Sequence, residues 1–473
     1  MKKLILAAAL LTSCLLSLRA QEVAKTGLNF GPLPAVGYSS DLGWHYGALT
    51  DIYWYGDGST YPEYMWKANV EVSRYSKGNT VLHSFFDSKY LIPGLRVSAA
   101  VSWFGNKTTN FYGFNGASSL YIPEMDKIVD GQGLYLMRRD IFRVQTCLQG
   151  AFGDSHWGWA AGITYWNIKT GHADNKGLSN SAGDVSLYDL YVRNGVIPEA
   201  EKEGGQHLEF KAGVVFDTRD HENNPTRGTN LEAYVFGSPD FISKHDNNYL
   251  KLAVHFKQFF PLGDRLVFGG HLAYQGLVAG NAPYYMLQTI QSINMKQINT
   301  EGLGSTCTLR GTITNRLQGN SYAWMNSELR WSFAKFRWIN QNWTLATNPF
   351  FDMGMIVSPY RAEQMKNLLK DTTPVATVDG KAYTAADFYT QQAEKLHMSA
   401  GIGLHVIMNQ NFNINFEFGK AFCDGYNYGW VNNDGAGLGI NIGLNYIFST
   451  LVRRAAPAPR KAKVFAPFGE CFP

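Results

Sequence analysis

Residues 216–228 read Phe-Asp-Thr-Arg-Asp-His-Glu-Asn-Asn-Pro-Thr-Arg-Gly, a polar stretch between two segments in which apolar and polar residues alternate. The apolar positions before and after it are Leu208, Phe210, Ala212, Val214 and Phe216, and then Leu231, Ala233 and Val235. Period-two alternation on both sides of a stretch rich in Asn, Pro and Gly predicts a β-hairpin.

Alternation of this kind recurs along most of the chain and predicts sixteen strands. In the last one, Leu438, Ile440, Ile442, Leu444, Tyr446 and Phe448 alternate with glycine and asparagine. In a membrane barrel the apolar set would face lipid and the polar set would line the lumen. The predicted strands are 33–40, 43–55, 62–75, 80–91, 94–105, 133–152, 156–169, 206–217, 228–239, 247–260, 264–278, 320–335, 341–357, 396–408, 411–423 and 435–448.

The connections between these strands have unequal lengths. The long ones all lead from an odd-numbered strand to the next even-numbered one: 106–132, 170–205, 279–319 and 358–395. The links at the opposite end are short, as at 92–93 and 409–410. Short periplasmic turns and long extracellular loops are typical of outer-membrane barrels. We therefore predict an all-β, 16-stranded antiparallel transmembrane β-barrel over 33–448. A soluble β-sandwich also alternates, but it does not explain this asymmetry.

The two ends of the chain differ in composition from the predicted barrel. Residues 1–20 have the form of an export signal, with two lysines, an apolar run and a small residue before Gln21. A lipoprotein-type cleavage that would lipidate Cys14 is the alternative. We expect 21–32 to be a short periplasmic lead-in and 449–473 to be a basic, Pro-rich periplasmic tail.

The overall composition excludes two classes of protein. The 473 residues are 45% hydrophobic and 17% charged, with a mean hydropathy of −0.21, which is too polar for a bundle of membrane helices. A net charge of +4 is too small to indicate a nucleic-acid partner. The 48 glycines and 14% aromatic residues suit a barrel with tight turns and aromatic girdles.

The sequence predicts no enzyme active site, metal site or cofactor. It has no HExxH or GxSxG motif and no CxxC pair. The histidines are scattered, and His45, His83, His271 and His405 are each isolated in a predicted strand.

Four short motifs occur in order along the predicted strands. The first is the turn motif Asp217-x-Arg219…Pro225-x-x-Gly228, and the second is Leu309-Arg310-Gly311-Thr312 in the loop between the eleventh and twelfth strands. The others are 326–330 (Asn-Ser-Glu-Leu-Arg) and 351–354 (Phe-Asp-Met-Gly). Together they resemble the BamA and TamA superfamily of outer-membrane-protein insertases, the bacterial surface antigen family. In that family an aromatic residue usually stands where Thr312 stands here.

The resemblance implies that the sixth extracellular loop folds into the barrel as a plug. Its motif residues would be Leu309, Arg310 and Gly311, and Arg310 would bind Glu328 and Asp352. Alternation independently assigns both carboxylates to the lumen, where a buried acidic pair needs a cation. The alternative is that these are ordinary lumen charges. Asp217, Arg219, Pro225 and Gly228 would shape and brace a periplasmic turn.

The same family implies partners. Its insertases carry POTRA domains before the barrel that receive client chains, whereas 21–32 is too short for one. We therefore expect a barrel of this family without POTRA domains, monomeric, surrounded by outer-membrane lipid. Client outer-membrane proteins or a periplasmic partner in the POTRA role would be its contacts.

The first and last predicted strands are rich in residues that weaken strand pairing, which indicates a lateral seam between them. The candidate seam residues are Gly37, Tyr38, Gly437, Gly439 and Gly443. An opening seam would expose strand edges able to template a new strand and would support insertion or export of proteins. The equal alternative is that these glycines relieve crowding. The alternative function is an outer-membrane channel or transporter.

Overall fold

The computed structural model describes the chain from residue 24 onward, with gaps. Predictions that concern the export signal, Cys14, Gly437 and the tail at 449–473 lie outside the described residues. Those residues are 24–39, 43–61, 63–76, 78–122, 125, 134–173, 185–239, 241, 248–292, 302–304, 308–378, 380–409, 412–422 and 439–443.

The described chain forms nineteen strands, of which seventeen belong to one antiparallel sheet. Most strands of that sheet pair with the strands before and after them in the chain. β7 pairs with both β5 and the two-residue β6, and β14 pairs with β17. The strands are β1 Leu28–Ser39, β2 Gly43–Trp54, β3 Trp66–Tyr75, β4 Thr80–Ile92, β5 Leu95–Gly105, β6 Thr109–Asn110, β7 Leu136–Ala151, β8 Trp157–His172, β9 Gly204–Asp217, β10 Gly228–Ser238, β11 Tyr249–Pro261, β12 Leu266–Gly280, β13 Ser321–Trp338, β14 Gln341–Ser358, β15 Pro374–Val378, β16 Lys381–Thr384, β17 His397–Met408, β18 Phe412–Phe422 and β19 Gly439–Gly443.

Each predicted strand overlaps an observed one, and the differences lie at the ends and in the loops. The first strand begins at Leu28, inside the predicted lead-in at 21–32. Pro32 and Pro34 both lie within the observed strand, because a proline lacks the N–H of a ladder but is tolerated in an edge strand. The short β6 and the separate β15–β16 hairpin were not predicted.

Short helices occur in the connections. They are α1 Leu187–Arg193, α2 Tyr284–Leu287 and α3 Ala362–Met365, with 3-10 turns at Gly116–Ser118, Glu199–Glu201, Lys366–Lys370 and Ala385–Phe388. The first of them begins with a capping box, in which the Ser186 N–H donates to Asp189 Oδ2 at 2.7 Å. Among the described residues, no helix has the length and apolar character to cross a membrane.

The polarity of the two faces of the sheet is the reverse of that in a water-soluble protein. Large apolar side chains point outward and are exposed, as at Val72 (55%), Leu272 (53%) and Ile402 (52%). The opposite face holds buried polar side chains such as Gln149 and Asn326, both fully buried. An apolar exterior around a polar interior satisfies the physical demands of a barrel in a lipid bilayer.

The two rims of the sheet also differ. The described parts of the connections at 106–135, 173–203, 281–320 and 359–396 lie at one rim, which we call the long-loop end. Turns such as 93–94 and 339–340 lie at the other rim, the short-turn end. Segments from these four loops pack into one apolar cluster, which closes much of the long-loop end. Its largest members include Phe111, Phe114, Tyr188, Tyr191, Tyr284, Tyr285, Tyr360 and Phe388.

In the part of the chain that the structure describes, no continuous ladder closes the sheet. Strands β1 and β19 approach within 8 Å between Cα atoms, but among the described residues no backbone register joins them. Ala35 and Leu49, buried on the inner face of β1 and β2, instead pack against Met408 and Ile414, which belong to the outward faces of β17 and β18. The ends of the sheet therefore overlap through side chains near the short-turn end.

A charge on the outward face should destabilise the barrel in a bilayer. Leu272 lies near the middle of β12, so Leu272→Arg should lower the free energy of unfolding in lipid vesicles by about 2–4 kcal/mol, the cost of arginine at the bilayer midplane. Urea titration of the vesicle-inserted protein measures this. Leu272→Ala is the control, and equal losses for the two variants would contradict a lipid-facing position.

Candidate functional site

The segment 308–318 of the loop between β12 and β13 forms a compact, buried turn. Leu309 is fully buried and packs with Leu303, Leu317 and Trp324, while the Thr312 N–H donates to the Leu309 carbonyl at 3.1 Å. Gly311 has φ +85°, a backbone conformation that favours glycine. The predicted motif therefore forms a tight turn that projects the Arg310 side chain.

Arg310 lies against the inner face of the sheet with 1% of its surface exposed. Its guanidinium makes two parallel hydrogen bonds to Asp352 on β14, Nε to Oδ2 at 2.9 Å and Nη2 to Oδ1 at 2.8 Å. The Arg310 backbone N–H also donates to Asp352 Oδ2, at 3.0 Å. Nη1 lies 3.1 Å from Glu328 Oε2 on β13. The structure thus brings together the three charged residues that the sequence motifs singled out.

A third carboxylate, which the sequence interpretation did not assign to this site, completes the cluster. Glu417 on β18 places Oε1 3.3 Å from Arg310 Nη1. Alternation puts Glu417 on the lumen face, but nothing in the sequence indicates that it faces Arg310 rather than another wall. We define Arg310, Glu328, Asp352 and Glu417 as the arginine cluster.

The surroundings of the Arg310 guanidinium favour its charged form. Burial alone lowers the pKa of Arg310, but the nearby Asp352, Glu417 and Glu328 carboxylates outweigh it and raise that pKa well above its usual value. The Phe350 ring lies 3.9 Å from the guanidinium carbon, within cation–π distance. The aromatic neighbour of Arg310 thus comes from β14, whereas Thr312 occupies the aromatic position of the motif and is buried.

Two histidines of the lumen wall extend the contacts of the loop. His271 and His255 stack with ring centroids 5.4 Å apart and share a hydrogen bond at 3.2 Å. His271 also shares one with Asn326 at 3.0 Å, and Asn326 donates to the Thr308 carbonyl in the loop. In the sequence His271 is isolated, because its partner His255 lies on the neighbouring strand and 16 positions away.

The motif residues Asp217, Arg219, Pro225 and Gly228 lie in the turn between β9 and β10. Arg219 makes two hydrogen bonds to Asp217, from Nε at 2.8 Å and from Nη2 at 3.0 Å. Gly228 has φ +100°, and a Cβ there would lie 2.4 Å from the Thr218 carbonyl oxygen. The Pro225 carbonyl accepts a hydrogen bond from Arg330 on β13.

The same turn also reaches the wall on its other side. Glu222 accepts from Arg96 Nη1 on β5 and from Lys89 Nζ on β4, both at 2.8 Å. Arg96 is fully buried and also pairs with Asp87 at 2.6 Å. Because β4, β5 and β13 lie on different sides of β9 and β10, the turn crosses the short-turn end and connects these walls.

The candidate seam residues fall at the two ends of the sheet. Gly37 and Tyr38 pair with His45 and Trp44 of β2, whereas Gly439 and Gly443 pair with Gly419 and Asn415 of β18. Gly437 lies outside the described residues. The described members therefore occupy the strands that meet at the unpaired junction.

An antiparallel sheet with an apolar exterior, a polar interior and long loops at one rim defines a transmembrane β-barrel of the outer-membrane class. The Omp85 superfamily domain matches residues 66–448, and the chain belongs to this superfamily. This confirms the family predicted from the motifs. The protein is accordingly located in the outer membrane of a Gram-negative bacterium.

Solved structures of similar fold include a BamA and a CdiB. BamA from Haemophilus ducreyi lacking POTRA domains 1-3 is 16% identical, covers 89% of this chain and 69% of its own, and has a TM-score of 0.48. CdiB from Escherichia coli is 12% identical, with 85% of this chain and 60% of its own covered and a TM-score of 0.50. This chain thus spans less than two thirds of the CdiB structure. No curated protein matches the chain.

Removing the cation of the arginine cluster should destabilise the barrel and release the loop. Arg310→Ala leaves three buried carboxylates without their shared partner, so we expect a loss of about 3–5 kcal/mol in the free energy of unfolding. Urea unfolding in vesicles and limited proteolysis at 308–318 measure the two effects. Arg310→Lys keeps the charge without the paired hydrogen bonds, so its free energy of unfolding should lie between those of the natural protein and Arg310→Ala. Unchanged stability and unchanged loop protection in Arg310→Ala would contradict a structural role for the cluster.

Glu222 should contribute stability that depends on pH. Burial opposes its charged form, but Arg96 and Lys89 outweigh burial and hold the pKa of Glu222 well below its usual value. A carboxylate with a lowered folded-state pKa stabilises the protein above its unfolded-state pKa of about 4.3, and this contribution is lost as the pH falls toward the folded-state pKa.

Glu222→Gln should therefore cost about 1–3 kcal/mol at pH 7, because Arg96 keeps Asp87 and Lys89 keeps Glu63. The difference in unfolding free energy between the natural protein and Glu222→Gln should shrink as the pH is lowered from 7 to 3. Urea titrations at each pH measure it, and a difference independent of pH would show that the ion pairs add no stability.

Proposed function

We propose that this protein inserts β-barrel proteins into the outer membrane, or exports proteins there, through the junction between β1 and β19. The observation that carries the proposal is the absence of a backbone ladder between these strands among the described residues. A barrel that lacks this ladder can separate there without breaking interstrand backbone hydrogen bonds. Separation would present unpaired strand edges, the template on which an incoming strand can form.

The overlap of the sheet ends supports the same function. The contact of Ala35 and Leu49 with Met408 and Ile414 is apolar. In hydrocarbon such a contact has little hydrophobic driving force, because lipid tails can replace it on either side. The overlap therefore covers the seam at rest and costs little to open.

The contents of the lumen argue against free diffusion through the centre. The arginine cluster holds segment 308–318 on the inner wall, and the apolar cluster formed by the four long loops fills much of the long-loop end. The turn at 218–227 crosses the short-turn end. A channel or transporter, the alternative function, would require at least one of these elements to move. Steady conductance of the natural protein in planar bilayers would favour that alternative.

A reconstituted assay tests lateral insertion directly. Vesicles that contain the protein should accelerate the folding of urea-unfolded outer-membrane β-barrel proteins relative to empty vesicles, measured by the shift in gel mobility of unheated samples. The paired variant Ala35→Cys with Ile414→Cys puts one cysteine on each of the two overlapping faces, so that a disulfide between them would join the faces. Oxidation should reduce its rate to that of empty vesicles, and reductant should restore it.

Variants that carry only one of the two introduced cysteines are the matched controls, and their folding rates should respond to neither oxidant nor reductant. Equal folding rates for the oxidised and reduced pair would contradict insertion through this seam. In cells, depletion of the protein followed by quantitative proteomics of the outer membrane identifies the clients. Loss of many barrel proteins indicates a general role and loss of one or two a dedicated one, whereas an unchanged proteome would contradict an assembly function.

A further inference from the structure

We propose that the inner wall formed by β7 to β11 binds one oxyanion, a carboxylate or a phosphate group, and that Arg143 is the residue that contacts it. The proposal does not depend on insertion or export, because it rests on charged side chains of the inner wall and not on the junction between β1 and β19. It follows from the way in which three buried cations of this wall are satisfied.

Arg143 points into the lumen from β7, and only 5% of its surface is exposed. Its Nε is buried and makes no hydrogen bond within the described part of the chain, and its Nη2 reaches Ser102 Oγ on β5 only at 3.5 Å. By contrast, Arg96 makes two hydrogen bonds to Asp87, from Nε at 2.8 Å and from Nη2 at 2.6 Å. A guanidinium carries five N–H donors in a fixed planar arrangement. Most donors of Arg143 are therefore available to a ligand.

The position of Arg143 is fixed by an aromatic ring. Its guanidinium carbon lies 5.1 Å from the centroid of the Trp166 ring on β8, and Trp166 itself is fully buried. A cation–π contact of this kind stabilises the charge without a hydrogen-bond acceptor. Trp166 therefore supports the charge of Arg143 and leaves its N–H donors for a second partner.

Lys211 on β9 and Lys251 on β11 are two further buried cations, and together with Arg143 we call them the basic wall. Both pair with Phe236 of β10, one from each side. Their Nζ atoms donate to backbone carbonyls, Lys211 to Ser292 at 3.3 Å and Lys251 to Met286 at 3.2 Å. Each Nζ also lies 5.4 Å from the centroid of an aromatic ring, that of Tyr234 for Lys211 and that of Tyr249 for Lys251.

Glu209 on β9 is the carboxylate that accompanies the basic wall, but its oxygens bind neutral donors. Oε2 accepts from the Tyr249 hydroxyl at 2.8 Å, and Oε1 accepts from Gln291 Nε2 at 2.7 Å. The hydrogen bonds of the three cations go instead to a hydroxyl and two carbonyls. The next charged residues of this wall, Glu232 on β10 and Lys257 on β11, have opposite signs. Positive charge therefore remains in excess.

An oxyanion would satisfy both the charge of the basic wall and the donors of Arg143. A buried charge is costly unless an opposite charge and hydrogen bonds accompany it. The planar N–H arrangement of arginine matches the paired oxygens of a carboxylate or a phosphate group. Because Arg143 points inward, its exposed 5% is reached from the lumen. The ligand would thus enter from the lumen and not from the surrounding lipid.

The fluorine NMR signal of Trp166 reports on this site in the full-length protein. The protein is labelled with 5-fluorotryptophan in micelles of an uncharged maltoside detergent, and Trp166→Phe identifies the Trp166 signal among those of the 12 tryptophans. Sodium phosphate or, separately, sodium acetate replaces sodium chloride at constant ionic strength. We expect a saturable shift of the Trp166 signal with at least one of the two anions. Saturation by phosphate alone identifies a phosphate site, and saturation by acetate alone identifies a carboxylate site.

Arg143→Gln should weaken the binding of that anion by about tenfold to hundredfold, because hydrogen bonds to a charged group are lost. Arg138→Gln is the matched control, since Arg138 lies on the opposite face of β7 and pairs with Asp140. Its affinity should equal that of the natural protein. Lys211→Gln removes one charge of the basic wall without altering Arg143 and should weaken binding by a smaller factor.

Two results would overturn the proposal. The first is a shift that grows linearly with both anions and does not saturate, which would indicate a general effect of the salt. The second is an equal affinity for the natural protein and Arg143→Gln. If Arg143→Gln does not fold, an affinity unchanged by Lys211→Gln would overturn the proposal instead. None of these measurements involves a client protein, so their outcome is separate from that of the insertion assay.

Discussion

The hydrocarbon of a bilayer offers no hydrogen-bond partner, so every backbone N–H and C=O group within it must be paired by the protein itself. This constraint accounts for the continuous antiparallel sheet from β1 to β19 and for its apolar exterior. The same constraint applies at the junction between β1 and β19, where the described residues share no ladder. A strand edge without partners is costly in lipid, and at the junction where the described residues show no shared ladder the inner face of β1 and β2 overlaps the outer face of β17 and β18.

Enclosing the polar faces of the strands creates the opposite problem inside. Charged groups in the lumen are removed from bulk water and need partners from across the barrel. The arginine cluster meets this need for a loop from the long-loop end, and Glu222 with Arg96 and Lys89 meets it for a turn from the short-turn end. Two connecting segments thus brace the barrel from within, and both contact β13, through Glu328 and Arg330.

Strength and weakness are therefore distributed unevenly around the barrel. The middle of the sheet is held by long ladders, by paired hydrogen bonds and by the two braces. Among the described residues, the end of the sheet is held by the ladder between β18 and β19, by an apolar overlap and by the ion pair of Glu417. A protein that must open sideways while remaining folded needs this arrangement, because the opening then costs little while the remainder of the wall keeps its stability.

The sequence by itself determined the strands and the faces of their side chains, because alternation with period two is a local property that the pleat of a strand imposes. It also indicated Arg310, Glu328 and Asp352, through short motifs in a fixed order. It did not identify Glu417, which lies 107 positions from Arg310, or Glu222, which lies 126 positions from Arg96. Alternation indicates that a side chain faces the lumen, but it does not indicate which strand on the other side of the lumen that side chain contacts. Only the curvature of the sheet and the paths of the loop and the turn decided those partners, the close approach of Gly311 to Gly419 and the overlap at the seam.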